Sequence, residues 1–122
     1  MGVVRSAARK VHRGLNALLI TGIVVQFYAA GWAAFGRPFT FHAVLGWSLI
    51  AASLVLSLAA FLGYGRHRMA ATSAVLVLSL AMQPVFVFVL SSMSIALAAL
   101  HPVNGLLALC LAVLMEGWAR ER

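Results

Sequence analysis

Four uninterrupted apolar stretches dominate this chain, at residues 14–35, 41–64, 69–90 and 98–118. A helix that crosses the hydrocarbon of a bilayer needs about 20 such residues. A soluble domain would have to bury all four stretches at once. The connections between them are short. Gly36-Arg37-Pro38 separates the first pair, and Gly63-Tyr64-Gly65-Arg66-His67-Arg68 the second and third. Ser91-Ser92-Met93-Ser94 opens the last connection, with Ile95 onward assignable to loop or helix. Such connections impose antiparallel neighbours. The expected fold is therefore all-α: an integral membrane up-down four-helix bundle, with residues 1–122 as a single domain. No stretch alternates apolar and polar residues, which excludes membrane strands. Composition closes the soluble alternative, because 64% of the residues are hydrophobic and 9% charged, against about a quarter charged in soluble domains. The single cysteine, Cys110, lies inside an apolar stretch. It excludes a disulfide scaffold or zinc ribbon and reads as a small core residue.

The net charge of +7 would suggest nucleic acid if its placement did not argue otherwise. Arg5, Arg9, Lys10 and Arg13 precede the first stretch, Arg66 and Arg68 lie between the second and third, and Arg120 and Arg122 follow the fourth. In a four-pass topology these eight share one side and leave only Arg37 on the other. The positive-inside rule then makes both termini cytoplasmic. The excess charge is a topology signal, helped by anionic lipid, and no nucleic-acid partner is expected. The basic start followed by an apolar stretch also has the outline of a signal peptide, but residues 14–35 are too long for the usual signal core and read as a helix.

The second and fourth stretches carry a repeat. Phe41-His42-Ala43-Val44-Leu45-Gly46 and Leu100-His101-Pro102-Val103-Asn104-Gly105 both contain His-x-Val-x-Gly, 59 residues apart. Gln26 and Gln83 stand 57 residues apart in the preceding stretches. Two duplicated helical hairpins explain both spacings. Helices two and four would run in the same direction, putting His42 and His101 near the non-cytoplasmic leaflet on diagonal helices. With neighbouring axes about 8–10 Å apart, the diagonal of about 12–14 Å accommodates two imidazoles facing one flat cofactor. Gly46 and Gly105, one turn on, would clear room for a macrocycle edge or a neighbouring helix. Pro102 belongs in a first helical turn, where its missing N–H costs nothing.

Strongly polar side chains inside a membrane are costly and are functional candidates by default, and imidazole is a standard axial ligand of haem iron. The expected site is one haem b held by His42 and His101. Arg37, the single cation on that side, stands where haem propionates need a partner. Gln26 and Gln83 would orient the imidazoles or line the cavity. Against this stands a haem-free accessory subunit, with interfacial histidines bonded to water or carbonyls, Arg37 an ordinary loop residue and the glutamines polar glue between helices.

The two His-x-Val-x-Gly segments, with Gln83 as a lesser element, resemble one four-helix half of haem A synthase. They are similar, more loosely, to small bis-histidine membrane cytochromes of the b561 type. Size and motif are also similar to an uncharacterised family of small bacterial four-helix membrane proteins, which implies a bacterial plasma membrane. The likeness implies a b-type haem protein that transfers single electrons near the outer leaflet, with quinol or a membrane oxidoreductase as partner, or that carries or senses haem. Haem A synthase has two such units, and its pattern includes an acid and outer-loop cysteines that the outer loops here lack. A homodimer would restore two units without restoring those residues.

A second haem between His12 and His67, on the cytoplasmic side, would match the two-haem arrangement. Both lie within basic flanks, Arg9-Lys10-Val11-His12-Arg13 and Arg66-His67-Arg68, and read better as topogenic charge. Glu116, four residues before Arg120, suits a helix-surface ion pair. Trp32, Trp47, Tyr64 and Trp118 near the span ends suit an aromatic belt, and Met82, Phe86 and Phe88 suit packing.

Overall fold

The computed structural model of the protein describes residues 2–65 and 68–121. Arg66, His67 and Arg122, on which part of the charge and histidine reasoning falls, lie outside the described residues. The elements are α1 (Gly2–Ala34), α2 (Thr40–Tyr64), α3 (Arg68–Phe88), a 3-10 turn (Leu90–Ser92), the one-turn α4 (Ile95–Ala98) and α5 (Leu100–Arg120). Four helical segments, built from α1, α2, α3 with its following turn, and α4 with α5, have the length and hydropathy of membrane spans.

Three boundaries differ from the apolar stretches, each for a local reason. The first helix starts at Gly2 rather than near residue 14, because the basic segment before Gly14 contains no proline and is rich in Ala, Arg and Lys, which favour helix. Its 33 residues span about 50 Å, well beyond the roughly 30 Å of hydrocarbon. The third helix ends at Phe88 rather than residue 90. Pro84 sits inside it and removes the N–H that would bond the Leu80 carbonyl, and the chain then tightens into the Leu90–Ser92 turn. The fourth begins at Leu100 rather than residue 98. Ser94 caps α4, its side chain accepting from the Ala96 N–H at 3.2 Å, and a separate helix follows. Pro102 falls in the first turn of α5, where no intrahelical donor is needed.

The helix α1 packs against α2 and α5, and α3 packs against the same two. The pairs α1/α3 and α2/α5 make no close backbone approach. The four largest fully buried apolar side chains, Leu19, Leu56, Leu76 and Met115, come one from each long helix. Small residues fill the rest: Ala60, Ala108 and Ala112 are also fully buried. Outward faces are equally apolar, with Leu18, Leu58 and Leu78 more than half exposed. Phe88 and Met82 are exposed too, as is Cys110, contrary to the core role expected for it. Their stretches are apolar all round, so hydrophobicity alone could not tell inside from outside.

Each adjacent pair of long helices is bridged by polar contacts. Arg9 Nε donates to the Gly63 carbonyl at 2.9 Å, joining α1 to α2. Asn16 Nδ2 donates to the Ala112 carbonyl at 2.9 Å, joining α1 to α5. Asn104 Nδ2 donates to the Ser79 carbonyl at 2.6 Å, and Ser79 Oγ donates to Asn104 Oδ1 at 2.9 Å, joining α5 to α3. Ser73 Oγ donates to Ser57 Oγ at 3.3 Å, joining α3 to α2.

Glycine sets the tightest crossing. A Cβ at Gly63 would lie 3.1 Å from the backbone nitrogen of Arg9, whereas one at Gly31 would meet nothing within 4 Å. Gly63→Ala should therefore lower stability by about 1–3 kcal/mol through overpacking, while Gly31→Ala should be neutral or mildly stabilising. Thermal midpoints of the purified variants in one detergent check this, and equal responses would contradict the close approach.

Candidate functional site

The first turn of α2 and the first turn of α5 bring His42 and His101 together. Their ring centroids are 6.0 Å apart and their planes are inclined at 56°. His42 is buried and stacks obliquely on Phe39 at 4.6 Å, while His101 is half-buried. The two imidazoles meet across the bundle although their helix backbones do not approach.

Each ring is held by a glutamine of the preceding long helix. His42 Nδ1 lies 3.2 Å from the Gln26 carbonyl, and Gln26 Nε2 donates back to the His42 carbonyl at 2.7 Å. His101 Nδ1 lies 3.2 Å from the Gln83 carbonyl. With the Gln83 amide oriented to satisfy both of its ends, Nε2 donates to the His101 carbonyl at 3.0 Å and Oε1 accepts from the Gly105 N–H at 2.9 Å. The same reciprocal clasp thus occurs between α1 and α2 and again between α3 and α5.

The clasps differ in two respects. Gln26 Oε1 is buried with no hydrogen-bond partner among the described residues, whereas Gln83 Oε1 has the Gly105 N–H. Gln83 Nε2 also lies 2.7 Å from His101 Nδ1 in that orientation. The carbonyl of Gln83 asks for a proton on Nδ1, and its amide N–H asks for a lone pair there. The amide is the closer of the two, at 2.7 Å against 3.2 Å for the carbonyl. The single close partner of His42 Nδ1 is a carbonyl, which puts the proton on Nδ1 and the lone pair on Nε2.

The glycines of the repeat serve the glutamines first. A Cβ at Gly46 would lie 2.9 Å from Gln26 Nε2, and one at Gly105 would lie 3.2 Å from Phe27 Cζ and 3.4 Å from the Gln83 amide. Space read from the sequence as clearance for a macrocycle edge or helix is taken by the amides that brace the histidines. Sequence reasoning named the residues but not this division of labour, because a contact between residues 26 and 46 leaves no periodic trace.

His42, His101, Gln26, Gln83, Gly46 and Gly105 all line one cavity of about 130 Å³ whose remaining walls are apolar, among them Phe27, Phe39, Trp47, Pro84 and Phe88. Arg37 does not line it, and its guanidinium lies over the Trp32 ring at 5.8 Å. Two imidazoles at this separation are the side chains that would supply nitrogen ligands to a metal in this cavity. Bonds of about 2 Å to each nitrogen set ring centroids on the order of 6 Å apart, and carbonyl-bound Nδ1 atoms are the usual support for such ligands. The volume is smaller than the roughly 300–1,000 Å³ of pockets for sizeable organic ligands, so a porphyrin requires the aromatic walls to part. Among the described residues no cluster of three or more metal-ligating side chains exists.

The opposite end of the bundle holds a second set of polar groups, of which the sequence reading passed over Asn16. His12 is fully buried rather than part of a solvated basic flank, and its ring meets Tyr64 edge-on at 5.2 Å. It lies on the α1 face that also buries Ala8, Asn16, Leu19 and Ile23. Neither of its ring nitrogens has a hydrogen-bond partner among the described residues, and it lines neither cavity. The candidate partner for a second haem, His67, lies outside the described residues. Asn16 Nδ2 also reaches Glu116 Oε2 at 3.3 Å. Glu116 makes the expected i,i+4 ion pair with Arg120 at 3.1 Å.

Two measurements test this geometry. Gly46→Ala should destabilise the protein by about 1–3 kcal/mol, and by clearly less in a Gln26→Ala background, because the two sites share one space; additive effects would contradict the contact. His12→Leu should leave the thermal midpoint unchanged or raise it, since an unpaired buried polar group costs about 1–3 kcal/mol; a fall of that size would show that the imidazole is satisfied.

No protein-family model matches the chain, nor does any curated protein or solved structure.

Proposed function

We propose that the protein is an integral membrane up-down four-helix bundle of two repeated hairpins that binds one haem b through His42 and His101. The observation that carries the reading is the pair of imidazoles 6.0 Å apart, each braced by a glutamine of its own hairpin. The bundle reading is supported by four span-like helices and apolar outer faces. The contact of Arg9, near the start of α1, with Gly63, near the end of α2, supports antiparallel order in the first hairpin. On this reading both termini are cytoplasmic and the histidines lie toward the outer leaflet of a bacterial plasma membrane.

The iron, when bound, supplies one-electron chemistry, with a potential set by its axial ligands, burial and nearby charge. His42 presents Nε2 because its Nδ1 proton is committed to the Gln26 carbonyl. His101 does the same when its Nδ1 proton is committed to the Gln83 carbonyl, which leaves the Gln83 amide to the His101 carbonyl. Phe27, Phe39 and Trp47 exclude water from the ring faces. Arg37, five residues before His42, would be the cation to pair with a haem propionate. Electron exchange with quinol or a membrane oxidoreductase follows from an outer-leaflet position, and haem carriage or sensing would use the same ligands. A homodimer would bring two such sites into one assembly.

The second reading, a haem-free accessory subunit, is favoured by one observation: both histidines are already hydrogen-bonded to a neighbouring helix without any ligand. The absorption spectrum separates the two. Protein expressed with haem available should show a Soret band and sharp reduced α and β bands, lost in His42→Ala and in His101→Ala and retained in His67→Ala. A folded, colourless preparation from haem-replete cells would overturn the proposal.

A further inference from the structure

At the end of the bundle opposite the histidine pair, Arg5, Arg9, Lys10 and Arg13 line a cleft of about 410 Å³, with Tyr64 and Ala119 as its floor. Four cations this close repel one another unless an anion lies among them. The chain has only two acids, and neither lines the cleft. Glu116 pairs with Arg120 at 3.1 Å and Glu121 with Arg68 at 3.5 Å.

Two of the cleft's guanidinium groups are fixed rather than free. Arg9 Nε donates to the Gly63 carbonyl at 2.9 Å, and its guanidinium lies 5.2 Å over the Tyr64 ring. Arg13 donates to the Ala119 carbonyl. Each binding spends one part of the guanidinium on the fold, and a planar fork has further N–H groups to offer an oxyanion. Gly63 permits the approach of α1 that creates the floor, since its missing Cβ would lie 3.1 Å from both Arg9 Cγ and Arg9 N.

The length of α1 identifies the source of the anion. About 20 residues cross the hydrocarbon, so the segment before Gly14 in this 33-residue helix stands at the level of lipid headgroups. Val3, Val4 and Val11 are exposed on the same segment, at 84%, 61% and 47%, which suits a helix in contact with the interface and not one projecting into water. We infer that this cleft binds the phosphodiester headgroup of an anionic phospholipid. The bound lipid relieves the repulsion among the four cations and anchors the extended start of α1. The site is independent of haem binding.

The test uses the full chain purified in neutral detergent, titrated with phosphatidylglycerol while the thermal midpoint is followed. Phosphatidylcholine and inorganic phosphate serve as parallel arms. Arg5→Gln/Lys10→Gln is the informative variant, because neither side chain bonds to the rest of the fold among the described residues. The expected result is a rise in midpoint with phosphatidylglycerol alone, half-saturating at roughly 25-fold higher lipid in the double variant, at about fivefold per cation removed. Raised salt should weaken the wild-type response. An equal rise with phosphatidylcholine, or an unchanged titration in the double variant, would overturn the site. An equal rise with inorganic phosphate would overturn the lipid assignment and leave a free-anion site.

Discussion

In this bundle the outside is as apolar as the inside, so burying another leucine does little to decide how the helices meet. Leu18, Leu58 and Leu78 face outward as freely as Leu19, Leu56 and Leu76 face inward. Where the surroundings are lipid, association rests on close backbone approach and on interhelical hydrogen bonds. The structure supplies both. Gly22, Gly46 and Gly63 let α1 and α2 approach within contact of the partner's side chains or backbone. The reciprocal bonds between Gln26 and His42, and between Gln83 and His101, then fix register within each hairpin. The position of the two imidazoles follows from these clasps.

Repetition of the clasp explains how two separate hairpins can face one centre. Each glutamine belongs to the long helix before its histidine, and the glycine one turn after the histidine opens space that the Gln26 amide fills at Gly46 and that the Phe27 ring and the Gln83 amide share at Gly105. Duplicating such a unit brings two rings to one cavity without requiring their helices to touch, as the wide diagonal between α2 and α5 requires. The proposed haem site is then a by-product of helix pairing that was already satisfied within each half. The halves are not identical, because the Gln83 amide also reaches His101 Nδ1. This difference at Nδ1 gives the two candidate ligands unequal readiness.

Spans, their order and the histidine repeat were legible in the sequence, because long apolar stretches and a five-residue motif are one-dimensional signals. What escaped was three-dimensional. The basic start of α1 carried no apolar period, so its helical continuation to Gly2 and the burial of His12 could not be read from hydropathy. The bonds of Asn16 to the Ala112 carbonyl and of Ser79 to Asn104 join residues with no shared pattern. Cys110 was assigned inward because an all-apolar helix has no polar face to mark its outside. At the two ends of the bundle the distinction matters most. His12 and Gln26 lie on the same helix about 21 Å apart, one beside the basic cleft and one beside the histidine pair.

The central claim is that His42 and His101 together form one site, shared by both hairpins. Haem titration of the purified full chain, followed to its end point, tests this most directly. The account predicts one haem per chain, and none when both histidines are replaced by alanine. Two haems per chain, or an undiminished end point in the double variant, would contradict it.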